Sequence, residues 1–172
     1  MVSDATVEEV GGEWQVRGDP TEGAIVVAAA KAGLAREDMA DRFPRIGEIP
    51  FSPESKRMTS LHRTAEGLVA YTKGAPEVIL PSCARQLTPG GEMELDDAER
   101  WRISGKAQDM AAKAMRVLAV AMRRQASREI VEDGLVFLGL IGMIDPPRPE
   151  ARAAVEMAVA AGIRVIMVTG DH

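Results

Sequence analysis

Tyr-Thr-Lys-Gly-Ala-Pro-Glu, residues 71–77, joins the end of a predicted strand to the start of a predicted helix. Apolar and polar residues alternate from Leu68 onward, which places Lys73 at the strand end. Gly74 permits a sharp turn and a close approach of the backbone to a ligand. Pro76 suits the first turn of a helix, and the glutamate after it suits the positive end of the helix dipole. This order of features favours a phosphate site; the alternative is a solvated lysine beside an ordinary glycine turn.

Composition bounds the class of protein. The 172 residues are 46% hydrophobic and 27% charged, which suits one compact domain, or one domain and a piece of another. The net charge of −5 predicts neither a nucleic-acid partner nor an anionic membrane surface, although a local cationic cluster can still hold a nucleotide. The single cysteine, Cys83, excludes an internal disulfide and is expected to be a small buried side chain rather than a nucleophile. With two histidines, no Cys/His metal site is expected, and no apolar run is long enough for a membrane helix.

The order of strand and helix signals predicts the fold class. Glu13–Arg17 is a short strand, and Asp19 and Pro20 then begin a helix that ends near Gly33. Three strands with short turns follow as an antiparallel meander, over residues 45–51, 56–63 and 68–72. The remaining signals are a short helix from residue 76, a hairpin or loop over 85–95, a helix over about 97–114, and strands over 117–122 and 135–144. The fold is therefore predicted to be α+β, a twisted, mainly antiparallel sheet flanked by helices.

A proline-rich link divides the chain. Asp-Pro-Pro-Arg-Pro, residues 145–149, is stiff and extended, so we predict domains over 1–144 and 145–172. The second piece should contain an amphipathic helix over 150–161 and a parallel-type strand over 163–168, with Thr169, Gly170 and Asp171 at its carboxyl end. Such an apolar strand without neighbours is expected to be disordered, to fold onto the domain, or to pair with another copy. The chain is then a monomer or a weak dimer through its C-terminal piece.

Five stretches, in order, resemble the P-type ion-pumping ATPases. They are Gly-Asp-Pro-Thr-Glu-Gly-Ala (18–24), Pro-Phe-Ser-Pro-Glu-Ser-Lys-Arg-Met (50–58), Lys-Gly-Ala-Pro-Glu (73–77), Met-Arg-Val-Leu-Ala-Val-Ala (115–121), and Asp-Pro-Pro-Arg (145–148) followed by Ala-Gly-Ile (161–163) and Thr-Gly-Asp (169–171). The resemblance covers nearly the whole chain. It implies a nucleotide-binding domain followed by a helix and strand of a haloacid dehalogenase-like phosphorylation domain.

The resemblance also implies roles for individual residues. Glu22 would accept a hydrogen bond from the adenine amino group, and Phe51 would stack on the base. The other implied contacts are Lys56, Lys73 and Gly74 lining the cleft, Arg116 toward the phosphates, and Thr169, Gly170 and Asp171 meeting the nucleotide in the closed, whole pump. Each residue has a plainer alternative. Glu22 complements a helix dipole, Phe51 packs in a core, Lys56 is solvated, and Arg116 is a cation near a helix C-terminus.

Two departures from the family pattern matter. Many members carry an arginine that contacts the nucleotide where this chain has Pro53, so affinity should fall or Lys56 or Arg57 should make that contact instead. The Asp-Lys-Thr-Gly-Thr motif that accepts the phosphoryl group is absent, so this chain should bind ATP without forming a phosphoenzyme.

Trp101 is expected to pack against the protein rather than to contact a ligand.

The intact protein implied by the resemblance couples ATP hydrolysis, with Mg²⁺ on the nucleotide, to cation transport. Its site would lie on the cytoplasmic face of the membrane, and its partners would be the phosphorylation, actuator and transmembrane domains of the same pump. Sequence details favour the calcium and sodium/potassium branches, and calcium is the ion we expect. Two other classes remain open. One is an interaction domain that has lost nucleotide binding, and the other is a soluble haloacid dehalogenase-like phosphatase.

Overall fold

The computed structural model describes residues 3–11, 13–126, 132–144 and 148–168. The N-terminal part contains β1 (Thr6–Val10), β2 (Glu13–Arg17), α1 (Pro20–Lys31) and α2 (Arg36–Arg42). The central part contains β3 (Arg45–Ile49), β4 (Arg57–Thr64), β5 (Gly67–Gly74) and α3 (Pro76–Ile79). After a 3₁₀ turn at Leu80–Ser82 come β6 (Cys83–Thr88), β7 (Gly91–Glu94), α4 (Asp97–Ala111), β8 (Arg116–Arg124), β9 (Leu135–Met143) and α5 (Pro149–Ala160).

Seven strands form one sheet in the order β3-β4-β5-β8-β9-β6-β7, and β1 and β2 form a separate antiparallel hairpin. Within the described residues every neighbouring pair in the large sheet is antiparallel except β6 with β9. The predicted meander is therefore confirmed as β3-β4-β5, and the predicted loop or hairpin is the hairpin of β6 and β7. The α+β class with a mainly antiparallel sheet is confirmed.

The register divides the large sheet into two faces. Met58, Lys73 and Val120 lie opposite one another on β4, β5 and β8, so their side chains share the first face. Their neighbours along the strands point to the second face, where α3 and α4 pack. The main buried cluster lies on this second face; its members are Ile79, Leu80, Cys83, Leu95, Ile103, Ala119, Ala121, Leu135 and Phe137. The start of α1 lies against the first face, where Glu22 meets Lys73.

Helix α1 packs closely on the β1–β2 hairpin. A Cβ on Gly23 would lie 2.2 Å from Cγ1 of Val16, so only glycine lets the helix approach the strand this closely. The helix begins as predicted: the Asp19 carboxylate accepts from the backbone N–H groups of Thr21 (2.8 Å) and Glu22 (3.1 Å). Pro20 occupies the first turn.

The expectation that Trp101 packs against the protein is wrong, because the residue is 78% exposed. Ile103 and Ala107 form the buried stripe of α4 instead. Successive helical residues are rotated by about 100°. A residue two positions before Ile103 therefore lies on the opposite side of the helix.

The C-terminal piece agrees only in part with expectation. Helix α5 matches the predicted helix, whereas residues 163–168 belong to no strand and their apolar side chains are exposed. A strand requires a neighbour with which to exchange backbone hydrogen bonds, and no described strand pairs with this segment. The predicted link residues 145–147 lie outside the described residues. None of the helices described combines the length and apolarity needed to cross a membrane.

Candidate functional site

The register brings several strand ends together at one end of the large sheet. Gly74, at the end of β5, pairs with Arg57 at the start of β4 and with Ala119 near the start of β8. Because β3 ends at Ile49 opposite Thr59, the connection from β3 to β4 also lies here. We call this region the strand-end site. It contains the predicted residues Glu22, Phe51, Lys56, Lys73, Gly74 and Arg116.

Glu22 and Lys73 form an ion pair between α1 and the first face of the sheet. Lys73 Nζ lies 2.7 Å from Glu22 Oε1, and the two side chains are only 10% (Lys73) and 17% (Glu22) exposed. The other oxygen, Oε2, accepts a hydrogen bond of 2.7 Å from the backbone N–H of Asp4. Both carboxylate oxygens are therefore held by protein groups. Glu22 also lies in the first turn of α1, so its interaction with the helix dipole holds as well.

Arg116 reaches the same helix start from β8. Its guanidinium donates to Thr21 Oγ1 at 3.0 Å, and Thr21 precedes Glu22 in the chain. The first turn of α1 therefore gathers an acidic side chain and two cationic side chains from three separate elements. Nothing in the local sequence of any one element indicates this convergence.

Gly74 is required because the end of β5 lies very close to the backbone that leads into β4. A Cβ at this position would lie 2.5 Å from the carbonyl oxygen of Lys56. That carbonyl accepts a hydrogen bond of 3.1 Å from the N–H of Ala75, and Lys56 itself has a left-handed φ of 47°. The sequence suggested that Gly74 allows approach to a ligand. The structure gives it a further reason, the approach of the protein's own backbone.

Lys56 presents its ammonium group to solvent at this point of close approach. Its Nζ lies 3.7 Å from Glu77 Oε1, and both side chains are more than half exposed. An exposed pair of this kind contributes little to stability. Lys56 is therefore a solvated side chain, as in the plainer alternative, and its ammonium is accessible to an anion.

Phe51 is 62% exposed, so the alternative that it packs in a core is wrong. The turn that follows is closed by the N–H of Lys56, which donates to the carbonyl oxygen of Ser52 at 2.8 Å, and by the N–H of Ser55, which donates to Ser52 Oγ at 3.1 Å. Pro53 lies within this turn. These hydrogen bonds fix the backbone conformation between Phe51 and Lys56.

Arg57 points away from Lys73, to the second face of the sheet. Its guanidinium lies 2.9 Å from Glu132 and 3.2 Å from Ser82 Oγ. Glu132 also accepts a hydrogen bond of 2.6 Å from Thr59 Oγ1. The expectation that Arg57 substitutes for the arginine that many family members carry in place of Pro53 is therefore wrong, since its side chain is engaged on the other face. Of the alternatives suggested, a contact from Lys56 and a lower affinity remain.

Cys83 is buried on the second face, as predicted. Its thiol lies 3.1 Å from the carbonyl oxygen of Ile79. Burial raises the pKa of this thiol to about 12, and the positive charge of Arg100 offsets only part of that effect. At neutral pH the group is a protonated thiol and not a nucleophile.

The described part of the chain holds no group of three or more His, Cys, Asp or Glu side chains that could bind a metal ion. A shallow groove at the turn between α1 and α2 is lined by residues 33–35, 38–39 and 41–42, away from the strand-end site. The predicted contacts Thr169, Gly170 and Asp171 lie outside the described residues.

The chain is similar to known proteins over most of its length. A family model described as "P-type ATPase, cytoplasmic domain N" matches residues 1–150. The chain is 43% identical, over its whole length, to Cation-transporting ATPase pma1 of Synechocystis sp., of which it covers 19%. It is 37% identical over 90% of its length to Calcium-transporting ATPase 1 of Bacillus cereus (18% covered), and 38% identical over 94% to the Sodium/potassium exporting P-type ATPase cta3 of Schizosaccharomyces pombe (16% covered). The chain therefore spans about a fifth of the length of these relatives.

Proposed function

Because the chain belongs to the family of the P-type ATPase cytoplasmic domain N, we propose that it is the nucleotide-binding domain of a cation pump. ATP binds at the strand-end site. The observation that carries this proposal is the exposed Phe51 ring at the same end of the sheet as the Glu22–Lys73 pair and Arg116. An exposed aromatic ring at the same end of the sheet as a fixed carboxylate and several cations suits a base at one end of the site and phosphates at the other.

The adenine end is assigned to Phe51 and Glu22. A base stacked on an aromatic ring is stabilised by about 1–3 kcal/mol. A carboxylate has about four acceptor positions, and the bonds from Lys73 and Asp4 use one on each oxygen of Glu22. Glu22 therefore retains the capacity to accept a hydrogen bond from the adenine amino group.

Lys73 belongs to this adenine end as well. Its ammonium is largely buried and paired at 2.7 Å with a carboxylate, so it offers less net attraction to a phosphate than a solvent-exposed cation does. Its role is to hold Glu22 and to line the cleft beside Gly74.

The phosphates are assigned to Arg116 and Lys56. A guanidinium offers a planar pair of donors to phosphate oxygens, and an exposed ammonium offers a point charge. Mg²⁺ would enter with the nucleotide, since phosphate oxygens and water supply most of its ligands in such sites. It neutralises charge on the phosphates. Thr169, Gly170 and Asp171 would meet the nucleotide and its phosphates only in the closed, whole pump.

The division into a nucleotide-binding domain (1–144) and a hinge with part of the phosphorylation domain (145–172) is also a proposal. Helix α5 followed by the apolar residues 163–168 suits a helix and a strand of a haloacid dehalogenase-like sheet. The exposure of those apolar side chains supports the view that neighbouring strands of that sheet cover them. Taken by itself, the chain is then a monomer or a weak dimer through this piece.

The whole protein would couple ATP hydrolysis to ion transport at the cytoplasmic face of the membrane. This chain contributes the ATP site. The phosphorylation, actuator and transmembrane domains of the same pump would contribute the rest, including the phosphorylated aspartate. The named relatives transport calcium, sodium and potassium, or unspecified cations. Calcium remains our choice of ion, and membrane helices outside this chain decide it.

Calorimetric titration of ATP into the chain tests this proposal. We expect saturable binding at or below millimolar ATP and no transfer of the γ-phosphate to the protein, because no Asp-Lys-Thr-Gly-Thr motif is present. Trp101→Ala serves as a control for removal of an exposed aromatic residue and should leave binding unchanged. If the folded chain binds no ATP at millimolar concentration, the interaction-domain alternative takes the place of this function.

A further inference from the structure

Residues 3–5, which we call the N-terminal strap, lie against the start of α1. Ser3 Oγ donates to the backbone carbonyl of Glu22 at 3.0 Å, and the N–H of Asp4 donates to Glu22 Oε2 at 2.7 Å. Ser3 and Ala5 are buried, whereas the side chain of Asp4 is 61% exposed. The strap thus contacts both the backbone and the carboxylate of Glu22.

Three further contacts fix the strap itself. Arg45, at the start of β3, forms an ion pair with the Asp4 carboxylate, and Arg36, at the start of α2, donates to the carbonyl oxygen of Ala5. A Cβ on Gly18 would lie 3.1 Å from Cα of Ala5, so the strap also packs tightly on the turn that leads into α1. The N–H of Asp4 is therefore a donor whose position is set by several separate elements.

A carboxylate held at one oxygen can still rotate, because the terminal torsion of glutamate has a broad energy profile. Lys73 holds only Oε1, through a flexible side chain. The second bond, from Asp4 to Oε2, comes from the backbone and engages the other oxygen of the carboxylate. Two donors on different elements fix the plane of the carboxylate and the direction of its remaining acceptor positions.

We infer that Asp4 is a positioning residue for nucleotide recognition, and that its backbone N–H orients Glu22 toward the adenine amino group. This inference rests on the proposed ATP site. Its consequence is base selectivity, because a fixed carboxylate favours a base that presents an amino group and repels one that presents a carbonyl oxygen. Inosine triphosphate is the matched probe, since it carries a carbonyl oxygen where ATP carries the amino group.

The test compares Asp4→Pro with Asp4→Ala. Proline removes the N–H, whereas alanine retains it and removes only the exposed carboxylate. We expect Asp4→Pro to weaken ATP binding about tenfold, as for the loss of a hydrogen bond to a charged group, while binding of inosine triphosphate is not weakened. Asp4→Ala should stay within about twofold of the wild type for both nucleotides, because it keeps the N–H, and the Arg36 bond and the Gly18 packing at Ala5 still hold the strap when the Arg45 ion pair is lost.

Several results overturn the inference. An unchanged ratio of ATP to inosine triphosphate affinity in Asp4→Pro, or equal weakening of both nucleotides, means that the strap has no orienting role. Equal effects of proline and alanine mean that the N–H is not the group involved. If the wild type binds no ATP, the proposed function fails and this inference fails with it. If only the selectivity result fails, the ATP site stands.

A second measurement does not depend on the folding of the proline variant. The amide proton of Asp4 should exchange slowly with solvent in the wild type and faster in Glu22→Ala, because the carboxylate is its acceptor. An Asp4 amide that is unprotected in the wild type, or equally protected in both proteins, overturns the inference.

Discussion

Phe51→Ala is expected to raise the Kd for ATP about thirtyfold while leaving the melting temperature unchanged. Loss of a base–aromatic stack corresponds to about 2 kcal/mol, which gives this factor. The ring is 62% exposed, so its removal creates no cavity in the core. Calorimetric titration and thermal unfolding of the same samples measure the two quantities.

Phe51→Trp is the matched control for this prediction. A larger aromatic ring at an exposed position can still stack, so ATP affinity should stay within about threefold of the wild type. Phe51→Leu preserves an apolar side chain without a ring and should behave like Phe51→Ala. Equal ATP affinity in the wild type and Phe51→Ala would show that Phe51 does not stack on the base.

Lys73→Met is expected to lower both stability and ATP affinity. It leaves the Glu22 carboxylate, which is only 17% exposed, without its cationic partner. A fully buried charge stripped of its partner costs about 3–5 kcal/mol, and partial exposure with a remaining bond from Asp4 reduces this to about 2 kcal/mol. Urea unfolding measures the stability, and titration measures the affinity.

The double variant Glu22→Gln/Lys73→Met separates the two effects. Glutamine carries no charge and still accepts a hydrogen bond from Asp4, so stability should return to within about 1 kcal/mol of the wild type. ATP affinity should stay low, because a neutral amide accepts a weaker hydrogen bond than a carboxylate. Lys56→Met is the control for removal of a lysine and should leave stability unchanged. A double variant as unstable as Lys73→Met would contradict the explanation by an unpaired charge.

The local signals in the sequence predicted most of the fold. Asp19 and Pro20 start α1 as predicted, because a helix cap depends on residues only a few positions apart. Alternation predicted the meander, since each strand needs only its own pattern and the turns beside it. The strand predicted over residues 163–168 was wrong, because a strand forms only with a neighbouring strand, and the sequence pattern does not show whether one is present.

The candidate site was only partly predictable. The choice of residues came from the family resemblance, and Phe51 proved to be exposed as a stacking role requires. The pairing of Glu22 with Lys73 joins residues 51 positions apart, and no local pattern indicates it. Asp4 was missed because it acts through its backbone, which every residue except proline offers equally. The suggestion that Arg57 contacts the nucleotide was wrong, because its side chain pairs with Glu132 on the opposite face of the sheet from Lys73, and only the register shows that face.

The central claim is that ATP binds at the strand-end site, and an NMR titration of the ¹⁵N-labelled chain tests it most directly. We predict saturable shifts in the backbone amides of Glu22, Lys56, Lys73 and Gly74, with the groove at residues 33–42 unaffected. Shifts concentrated in that groove, or no shifts at millimolar ATP, would contradict the account.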